Sequence, residues 1–422
     1  MERVTILDGK KIILGVTGSV AAYKAVDLAS KLTQAGAVVD TILTPSATQF
    51  VTALTFQSVT GRPVYTDLWQ TDHTNGLPTH IAHVGLAEGA DLMVVAPATA
   101  NHIAKLAYGF ADDLLCLTVL ALRCPVMVAP AMDADMFENP ATAENVRKLV
   151  ERGIVLVEPE EGRMASGLVG RGRLPETSTL IGLIRHQLGR EWGTLRDRHI
   201  VVTAGGTREA IDPVRFVTNR SSGKQGYAIA HAALDIGAQV TLITTPTGLP
   251  QPVGATVVPV ESAEEMLTAV LDCVDHADAL IMAAAVADFR PAEVADQKIK
   301  KTSKNADGVE LTLVPTQDIL ATVGAGRRET GWPHVLVGFA AETHDLVSNA
   351  KAKLVRKNVD FIIANDVTVE GAGFQSDTNA VTILDADGST MSLPRQTKVA
   401  IAEAIMQRIA TRLQTVPHDP GT

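Results

Sequence analysis

The chain is poor in cysteine and in aromatic residues. Among its 422 residues there are three cysteines, and aromatic residues make up 4%. Cys116, Cys124 and Cys273 lie in apolar segments without the close spacing of zinc ligands, which argues against a zinc centre or a disulfide framework. No apolar run reaches the roughly 20 residues that a membrane-spanning helix needs, and no signal peptide precedes the first predicted strand. We therefore expect a cytoplasmic protein without a membrane span.

Positive charge is also in deficit. The chain has 37 lysines and arginines against 47 aspartates and glutamates, a net charge of -10. This balance argues against general binding to nucleic acid or to an anionic membrane surface. The length favours two or three domains.

Apolar segments alternate with segments of helical periodicity in both halves. Near-continuous apolar runs such as 91–99 and 125–132 predict a parallel sheet covered on both faces. The polar stretch 189–198 is interpreted as a linker, because a second strand, glycine turn and helix begin at residue 199. We therefore predict two α/β domains, 1–188 and 199–412, followed by a flexible tail, 413–422. Single helices are predicted over 46–61 and 100–122, and a strand over 279–289.

Loops after the predicted strands of the first half carry glycine and hydroxyl residues. The segment GVTGSV joins a strand to a helix N-terminus, where backbone amides and the helix dipole favour an anion such as the phosphate of flavin mononucleotide (FMN). A tight structural turn is the alternative, since the GxGxxG spacing of dinucleotide sites is absent. The candidate cofactor-binding residues are Gly15, Thr17, Gly18, Ser19, Val20, Ser46, Pro97, Ala98, Thr99 and Asn101.

Three further features of the first half are open to more than one interpretation. His80 lies at the start of a predicted helix, where a lowered pKa suits a general base, although most histidines have no catalytic role. Met132 and Met136 could contact a flat ring or fill the core. The glycine-rich segment 165–176 carries Arg171 and Arg173, which suggests a loop that binds an anion.

The second half contains a long polar segment rich in anion-binding groups. Residues 203–226 combine four glycines with three arginines and a lysine. They end in SSGKQG at a predicted helix start, but the Walker sequence GxxxxGK[ST] is absent, which argues against a P-loop ATPase. Asp288 follows a predicted strand and Lys298 lies in the basic run KIKK. Such a run is either a solvated surface or a group that neutralises a triphosphate.

Taken in order, these motifs resemble the bifunctional phosphopantothenoylcysteine decarboxylase / phosphopantothenate-cysteine ligase family of coenzyme A biosynthesis. The resemblance covers about residues 9–412, and its most specific segments are APATANHIAKLAYGFADDLL, TREAIDPVRFVTNRSSGKQGYAIA and AAAVADFRP. It implies a flavodoxin-like flavoprotein domain that binds FMN and forms trimers, joined to a Rossmann-like ligase domain that uses CTP and Mg²⁺. The resemblance also makes a dodecamer of four trimers plausible, because it would meet the assembly needs of both halves.

The resemblance also implies roles for individual residues. In the first half, His80 would be the catalytic base, and the segment 165–176 would cover the substrate. In the second half, Asn219 would grip an acyl-cytidylate, Asp288 would organise the nucleotide, and Lys298 would contact the triphosphate. The remaining substrate-binding residues would be Met282, Ala283, Ala284, Gln317, Asp318, Ile319, Leu320, Phe339, Lys353 and Lys357.

Two positions depart from the family pattern, both in the decarboxylase half. Asp133 replaces an asparagine that contacts the substrate carboxylate, and Ser166 replaces a cysteine that donates a proton in the final reduction. Two carboxylates repel each other unless one is protonated or a cation intervenes, and a serine hydroxyl is a weaker acid than a thiol. One alternative is therefore a ligase whose flavoprotein half yields an oxidised enethiol or serves as a trimerising platform. An unrelated nucleotide-dependent dehydrogenase is the other.

Overall fold

A computed structural model describes residues 3–69, 77, 79, 81–300, 308–342, 353–366 and 376–416. The chain forms two compact units, residues 1–188 and 189–422. Within the described ranges, no helix combines the length and apolar character that crossing a membrane requires.

The first unit is built on a six-stranded parallel sheet in the order β3-β2-β1-β4-β5-β6. Successive strands are added outward from β1 on one side and from β4 on the other, so the sheet is doubly wound. This confirms the predicted flavodoxin-like α/β class. Its strands are β1 (Lys11–Val16), β2 (Val38–Leu43), β3 (Val64–Tyr65), β4 (Leu92–Ala98), β5 (Val126–Pro130) and β6 (Val155–Leu156).

Helices cover the sheet of the first unit. In α1 the buried residues Ala25, Leu28 and Leu32 follow helical spacing, so one face of this helix packs on the sheet. All seven residues of β4 are buried, as a strand covered on both faces requires. The helices are α1 (Ala22–Gln34), α2 (Ala53–Thr60), α3 (Ala82–Ala87), α4 (Ala100–Tyr108), α5 (Leu114–Ala121), α6 (Ala134–Glu138), α7 (Pro140–Glu151) and α8 (Thr177–Trp192).

Both long helices predicted in this unit are interrupted. The helix predicted over 100–122 ends as α4 at Gly109, whose φ of 72° is left-handed and favours glycine. It restarts as α5 after Asp113, whose side chain caps the new helix. The segment 46–61 likewise forms a short 3₁₀ turn and then α2, because Thr52 between them is extended.

The glycine-rich segment forms a hairpin where an open loop was expected. Strand β7 (Glu160–Arg163) pairs antiparallel with β8 (Val169–Arg173). Gly167, with a φ of 92°, lies in the turn between them. Glycines interrupt the alternation of apolar and polar residues by which a short strand is recognised in a sequence. The sequence therefore did not predict β7 and β8.

The second unit contains an eight-stranded mixed sheet in the order β13-β12-β9-β14-β17-β18-β19-β20. The first six strands of this order are parallel, and β19 and β20 are antiparallel. The Rossmann-like prediction is confirmed for the parallel part. The strands are β9 (His199–Ala204), β12 (Gln239–Thr244), β13 (Thr256–Pro259), β14 (Ala279–Met282), β17 (Val335–Glu342), β18 (Phe361–Asp366), β19 (Thr378–Asp385) and β20 (Thr390–Thr397).

Two small hairpins and several helices complete the described part of the second unit. One hairpin pairs β10 (Arg208–Asp212) with β11 (Arg215–Thr218), and the other pairs β15 (Phe289–Pro291) with β16 (Leu313–Pro315). The helices include α9 (Lys224–Asp235), α10 (Ala263–Val274), α11 (Ile319–Thr330) and α12 (Lys398–Leu413).

Three boundaries of the second half differ from the sequence predictions. The strand predicted over 279–289 stops at Met282, and a loop precedes β15. Helix α8 extends through Trp192 into the predicted linker. The flexible tail was predicted to begin at residue 413. However, Leu413 is fully buried, and Arg198 donates to the carbonyl oxygen of Val416 at 3.0 Å.

Candidate functional sites

The loops after β1, β4 and β5 meet at the carboxyl edge of the first sheet, where the strand order reverses. The hydroxyl of Thr17 donates to the carbonyl oxygen of Pro97 at 2.8 Å and accepts from the N–H of Thr99 at 3.0 Å. Ser19 donates to the carbonyl oxygen of Ala131 at 3.4 Å. In doubly wound sheets this edge is where ligands bind.

Gly18 brings the loop after β1 against the loop after β2. A Cβ added to Gly18 would lie 2.4 Å from Cβ of Ser46, so a side chain at position 18 would separate the loops. Within the described residues, the amides of Gly18 and Val20 donate to no acceptor, and neither does the Ser46 hydroxyl. This donor set fits a phosphate group. The anion site at these loops stays a prediction.

The other predicted cofactor residues lie at the same edge with different exposure. Gly15 is buried in β1 against Leu115, and Ala98 ends β4. Thr99 caps α4 by accepting from His102 N–H, and Asn101 is exposed on the first turn of that helix. His80 lies outside the described residues.

The two positions that depart from the family pattern contact each other. The Ser166 hydroxyl donates to the carboxylate of Asp133. The hairpin is held there by the main chain, since Met132 N–H donates to the carbonyl oxygen of Gly172 at 3.0 Å. A Cβ on Gly172 would lie 2.3 Å from the carbonyl oxygen of Met132. Met136 is half exposed, so it does not fill the core.

The two arginines of β8 form ion pairs with glutamates. Arg171 pairs with Glu158 and lies over the ring of Phe137, 5.6 Å from its centroid. Arg173 lies 3.6 Å from Glu176. Binding of an anion by these two arginines stays a prediction.

The side chain of Asp113 caps α5 and also contacts neighbouring basic residues. Asp113 accepts from Cys116 N–H at 2.9 Å and lies 3.2 Å from His102 and 3.1 Å from Lys105. Burial opposes its charge, but these hydrogen bonds and cations outweigh burial and lower the pKa of Asp113. Asp112 is exposed and, among the described residues, pairs with Lys105 at 2.7 Å.

We expect Asp113→Ala to lower the free energy of unfolding of the first unit by about 3 kcal/mol, because it removes a helix cap and leaves the buried ring of His102 without this partner. Asp112→Ala, the matched control, should cost less than about 1 kcal/mol. Urea titration followed by circular dichroism measures both. Because the folded pKa is depressed, the stabilisation is present above the ordinary aspartate pKa and is lost as the pH falls below it. Equal effects of the two substitutions would contradict this assignment.

A cavity of the first unit includes residues that the sequence did not single out. It has a volume of about 410 Å³ at the ends of β2 and β3. Its wall includes Thr44, Trp69 and Asp112. No recognised motif in the sequence includes Trp69. The structure shows that its side chain is highly exposed.

The second unit contains a cavity of about 560 Å³ at the carboxyl ends of β9, β14, β17 and β18. It lies where the strand order reverses between β9 and β14, the expected position for a ligand. Most of the predicted ligase residues line it: Asn219, Met282, Ala283, Ala284, Asp288, Gln317, Asp318, Ile319, Leu320, Phe339, Lys353 and Lys357. Lys298 does not; it is exposed next to Ile299, whose N–H donates to Asp212 at 3.1 Å.

Buried threonines fix the loops around this cavity. The Thr203 hydroxyl accepts from Ala284 N–H at 3.1 Å, and the Thr207 hydroxyl accepts from Ala287 N–H at 2.9 Å. Asn219 donates its side-chain amide to the carbonyl oxygen of Val286 at 2.9 Å. These contacts hold the Asn219 carboxamide beside the loop that carries Asp288.

Asp318 and Lys357 form an ion pair on the cavity wall. Their atoms Oδ2 and Nζ are 3.0 Å apart, and Asp318 also caps α11 by accepting from Ala321 N–H at 3.0 Å. Burial disfavours the carboxylate, but the Ala321 and Lys357 hydrogen bonds outweigh it and lower the pKa of Asp318. Sequence reasoning missed further polar residues of the wall, among them Asn365 on β18, Asn379 on β19 and Lys398 at the start of α12. The segments that form β19 and α12 carry no recognised motif.

Comparison with known proteins assigns both units. The flavoprotein family matches residues 2–189, and the DNA/pantothenate metabolism flavoprotein C-terminal domain matches residues 195–413. The chain is 47% identical over 407 residues to the coenzyme A biosynthesis bifunctional protein CoaBC of Bacillus subtilis, covering 96% of this chain and 98% of the relative. The chain belongs to the CoaBC family. A relative from Mycobacterium bovis is 46% identical over 414 residues, covering 96% of this chain and 97% of the relative.

Solved structures of single halves are also similar. The C-terminal domain of a CoaBC protein is 40% identical, covering 53% of this chain and 98% of that chain, with a TM-score of 0.44. A PPC decarboxylase mutant complexed with pantothenoylaminoethenethiol is 33% identical, covering 42% of this chain and 97% of that chain, with a TM-score of 0.38.

Membership in the CoaBC family fixes the overall function. The chain is a bifunctional enzyme of coenzyme A biosynthesis, with a decarboxylase in its flavoprotein half and a ligase in its C-terminal half. This confirms the resemblance drawn from the motifs and disfavours the dehydrogenase and the impaired-decarboxylase alternatives.

Proposed function

We propose that the ligase half joins cysteine to 4'-phosphopantothenate at the expense of CTP, and that the flavoprotein half then decarboxylates the product to 4'-phosphopantetheine. The observation that carries the ligase assignment is the single cavity lined by Asn219, Asp288 and the Gln317–Leu320 segment. In the first reaction the substrate carboxylate attacks the α-phosphorus of CTP, and pyrophosphate leaves. The cysteine amine then displaces CMP from the acyl-cytidylate to form the amide.

The cavity residues suit the parts of this reaction. A carboxylate at Asp288 can accept from the exocyclic amine of cytosine, and the ring of Phe339 can contact the base. Asn219 offers a neutral donor to the oxygen that develops charge during acyl transfer. Lys353 and Lys357 bring positive charge to the nucleotide, and Mg²⁺ would be held mainly by phosphate oxygens. Lys298, outside the cavity wall, would act on the triphosphate only after its segment moves.

Nucleotide choice tests this proposal. We expect CTP, with 4'-phosphopantothenate and Mg²⁺ and without cysteine, to release pyrophosphate in one turnover. UTP should be at least about tenfold less effective, because it lacks the amine that Asp288 would accept from. Pyrophosphate release by both nucleotides at equal rates would contradict the role given to Asp288.

The first unit would hold FMN at the edge formed by Gly18, Ser46 and Thr99. The unengaged amides of Gly18 and Val20 and the Ser46 hydroxyl suit its phosphate. When bound, FMN supplies the oxidation of the cysteinyl thiol that makes the carboxylate able to leave, and it supplies the returning hydride. His80 would be the base that removes the proton during the oxidation.

Ser166 and Asp133 would handle the proton of the last step. The hydroxyl of Ser166 donates to the carboxylate of Asp133, so Ser166 could pass a proton to the substrate and be reprotonated through Asp133. The pair would thus replace the cysteine and asparagine of the family pattern together.

We expect Ser166→Ala to leave carbon dioxide release intact in the first turnover, after which the flavin stays reduced, and to slow formation of 4'-phosphopantetheine by about a hundredfold, the usual scale for losing a general acid. The product should then be lighter by two hydrogen atoms, as mass spectrometry would show. Ser58→Ala, which removes an exposed hydroxyl on α2, is the control. Normal amounts of 4'-phosphopantetheine from the Ser166 variant would mean that the proton has another source.

We also propose that the flavoprotein halves form trimers, which a dodecamer would combine, and that the enzyme works in the cytoplasm. Exposed apolar side chains of the first unit, such as Tyr23, Leu54 and Trp69, support association between copies. None of the three cysteines forms a disulfide, which fits a reducing compartment.

A further inference from the structure

A tight turn joins β10 to β11 in the second unit. It is formed by residues 212–215. Oδ1 of Asp212 accepts from the N–H of Val214 at 2.8 Å and from the N–H of Arg215 at 2.9 Å. Aspartate at the first position and proline at the second are residues that such a turn favours. One carboxylate oxygen of Asp212 is therefore enough to stabilise the turn.

The second carboxylate oxygen of Asp212 binds a segment that is distant in the sequence. Its Oδ2 accepts from the N–H of Ile299 at 3.1 Å and from Nη1 of Arg215 at 2.7 Å. The same Nη1 donates to the carbonyl oxygen of Ile299 at 3.0 Å. Asp212 and Arg215 thus bind both main-chain polar groups of Ile299, and we call this pair the Ile299 clamp.

The Ile299 clamp is built around a buried charge. The Asp212 side chain is fully buried, whereas about half of the Arg215 side chain is exposed. A buried carboxylate of this kind is costly to disturb, because loss of a partner leaves its charge uncompensated. Since the turn needs only Oδ1, the stability of the turn does not account for the contacts of Oδ2.

The clamp fixes the main chain immediately after Lys298. On the same hairpin, the carbonyl oxygen of Ile211 accepts from the N–H of Ala295 at 3.0 Å. The segment 295–299 is thus attached to the β10–β11 hairpin at both ends, with Lys298 between the two attachments. Asn219 directly follows β11, the second strand of this hairpin. Any movement that carries Lys298 toward the cavity therefore also involves the element that leads to Asn219.

We infer that Asp212 and Arg215 are positioning residues for the ligase reaction. By holding Ile299 on the hairpin, they set where the side chain of Lys298 can reach. This inference rests on the proposed contact of Lys298 with the reacting nucleotide, and it adds two residues that are not part of the described cavity wall. A change at the clamp should therefore alter the placement of Lys298 without removing any group from that wall.

Ligation kinetics of the full chain with Asp212→Asn test this role. Asparagine keeps one oxygen for the turn, but its amide nitrogen cannot accept from the N–H of Ile299. We expect kcat for phosphopantothenoylcysteine formation to fall by about tenfold to a hundredfold, the scale of a small misplacement of a reacting group. Hydrogen exchange of peptides that contain Ile299, measured by mass spectrometry, should become faster than in the wild type.

A double-mutant cycle separates positioning of Lys298 from a general effect on folding. Lys298→Gln alone should slow ligation, and adding Asp212→Asn to it should slow ligation by less than about a further twofold. Asp278→Asn is the matched control, because the buried Asp278 accepts from the N–H of His199 at 2.8 Å and pairs with Arg198 at 2.6 Å. It should lower the thermal stability but leave kcat unchanged.

The outcomes distinguish this inference from the function on which it rests. If Lys298→Gln ligates at the wild-type rate, the proposed role of Lys298 fails and the inference fails with it. The inference alone is wrong if Lys298→Gln is slow while Asp212→Asn ligates normally, or if Asp212→Asn slows the Lys298 variant as much as the wild type. Should Asp212→Asn fold poorly, Arg215→Gln at the half-exposed position provides the same cycle, and additive losses there would overturn the inference equally.

Discussion

Asn219→Asp should reduce the formation of phosphopantothenoylcysteine by about a hundredfold to a thousandfold, the scale seen when one oxyanion donor is removed. The wild-type side chain donates to the carbonyl oxygen of Val286 at 2.9 Å and lines the ligase cavity. The substitution keeps the shape but replaces the donor with a carboxylate. That carboxylate would repel both the Val286 carbonyl and the negative charge that develops during acyl transfer.

The second activity of the same chain provides the internal control for Asn219→Asp. Phosphopantothenoylcysteine supplied directly should be decarboxylated at the wild-type rate, because Asn219 belongs to the second unit and the flavoprotein site to the first. Asn139→Asp is the matched variant, since either residue can cap α7. If Asn219→Asp ligated normally, or if both activities fell together, the assignment of Asn219 to the ligase chemistry would be wrong.

Gly18→Ala should lower the flavin content of the purified protein by about tenfold or more while ligation continues. The added Cβ would lie 2.4 Å from Cβ of Ser46 and 3.0 Å from its backbone carbon. Backbone cannot yield as a flexible side chain can, so the loops after β1 and β2 must separate. Overpacking of this kind costs about 1–3 kcal/mol, and about 1.4 kcal/mol corresponds to a tenfold loss of affinity.

Flavin absorbance per chain measures the effect of Gly18→Ala, and pyrophosphate release from CTP reports on the ligase half. Gly326→Ala is the control, because a Cβ at Gly326 would meet nothing within 4 Å. It should leave both readings unchanged. A Gly18→Ala protein with full flavin content would show that the loop pair at Gly18 and Ser46 does not form the phosphate site.

The sequence predicted the parts of the fold that depend on local patterns. Continuous apolar runs identified β4 and β5, because strands covered on both faces need apolar residues throughout. The motifs at strand ends converged because parallel strands place their carboxyl ends at one edge. For the same reason, most of the predicted ligase residues line one cavity.

What the sequence did not reveal depends on tertiary contacts. The break between α4 and α5 follows from the capping role of Asp113, which became evident only with its buried partners. The contact between Ser166 and Asp133 joins residues 33 positions apart. Lys398 lies in a segment without a motif, and its place beside α9 depends on how α12 packs. Lys298 is the opposite case. It belongs to a recognised motif, but it does not line the cavity.

The measurement that tests the central claim most directly follows the whole conversion in one vessel. The wild-type protein would receive 4'-phosphopantothenate, cysteine, CTP and Mg²⁺, and the products would be followed by mass spectrometry. We predict that phosphopantothenoylcysteine appears first and is then converted to 4'-phosphopantetheine, with CMP and pyrophosphate released in equal amounts. Accumulation of phosphopantothenoylcysteine without further conversion would contradict the assignment of a working decarboxylase, and failure to form it would contradict the assignment of the ligase.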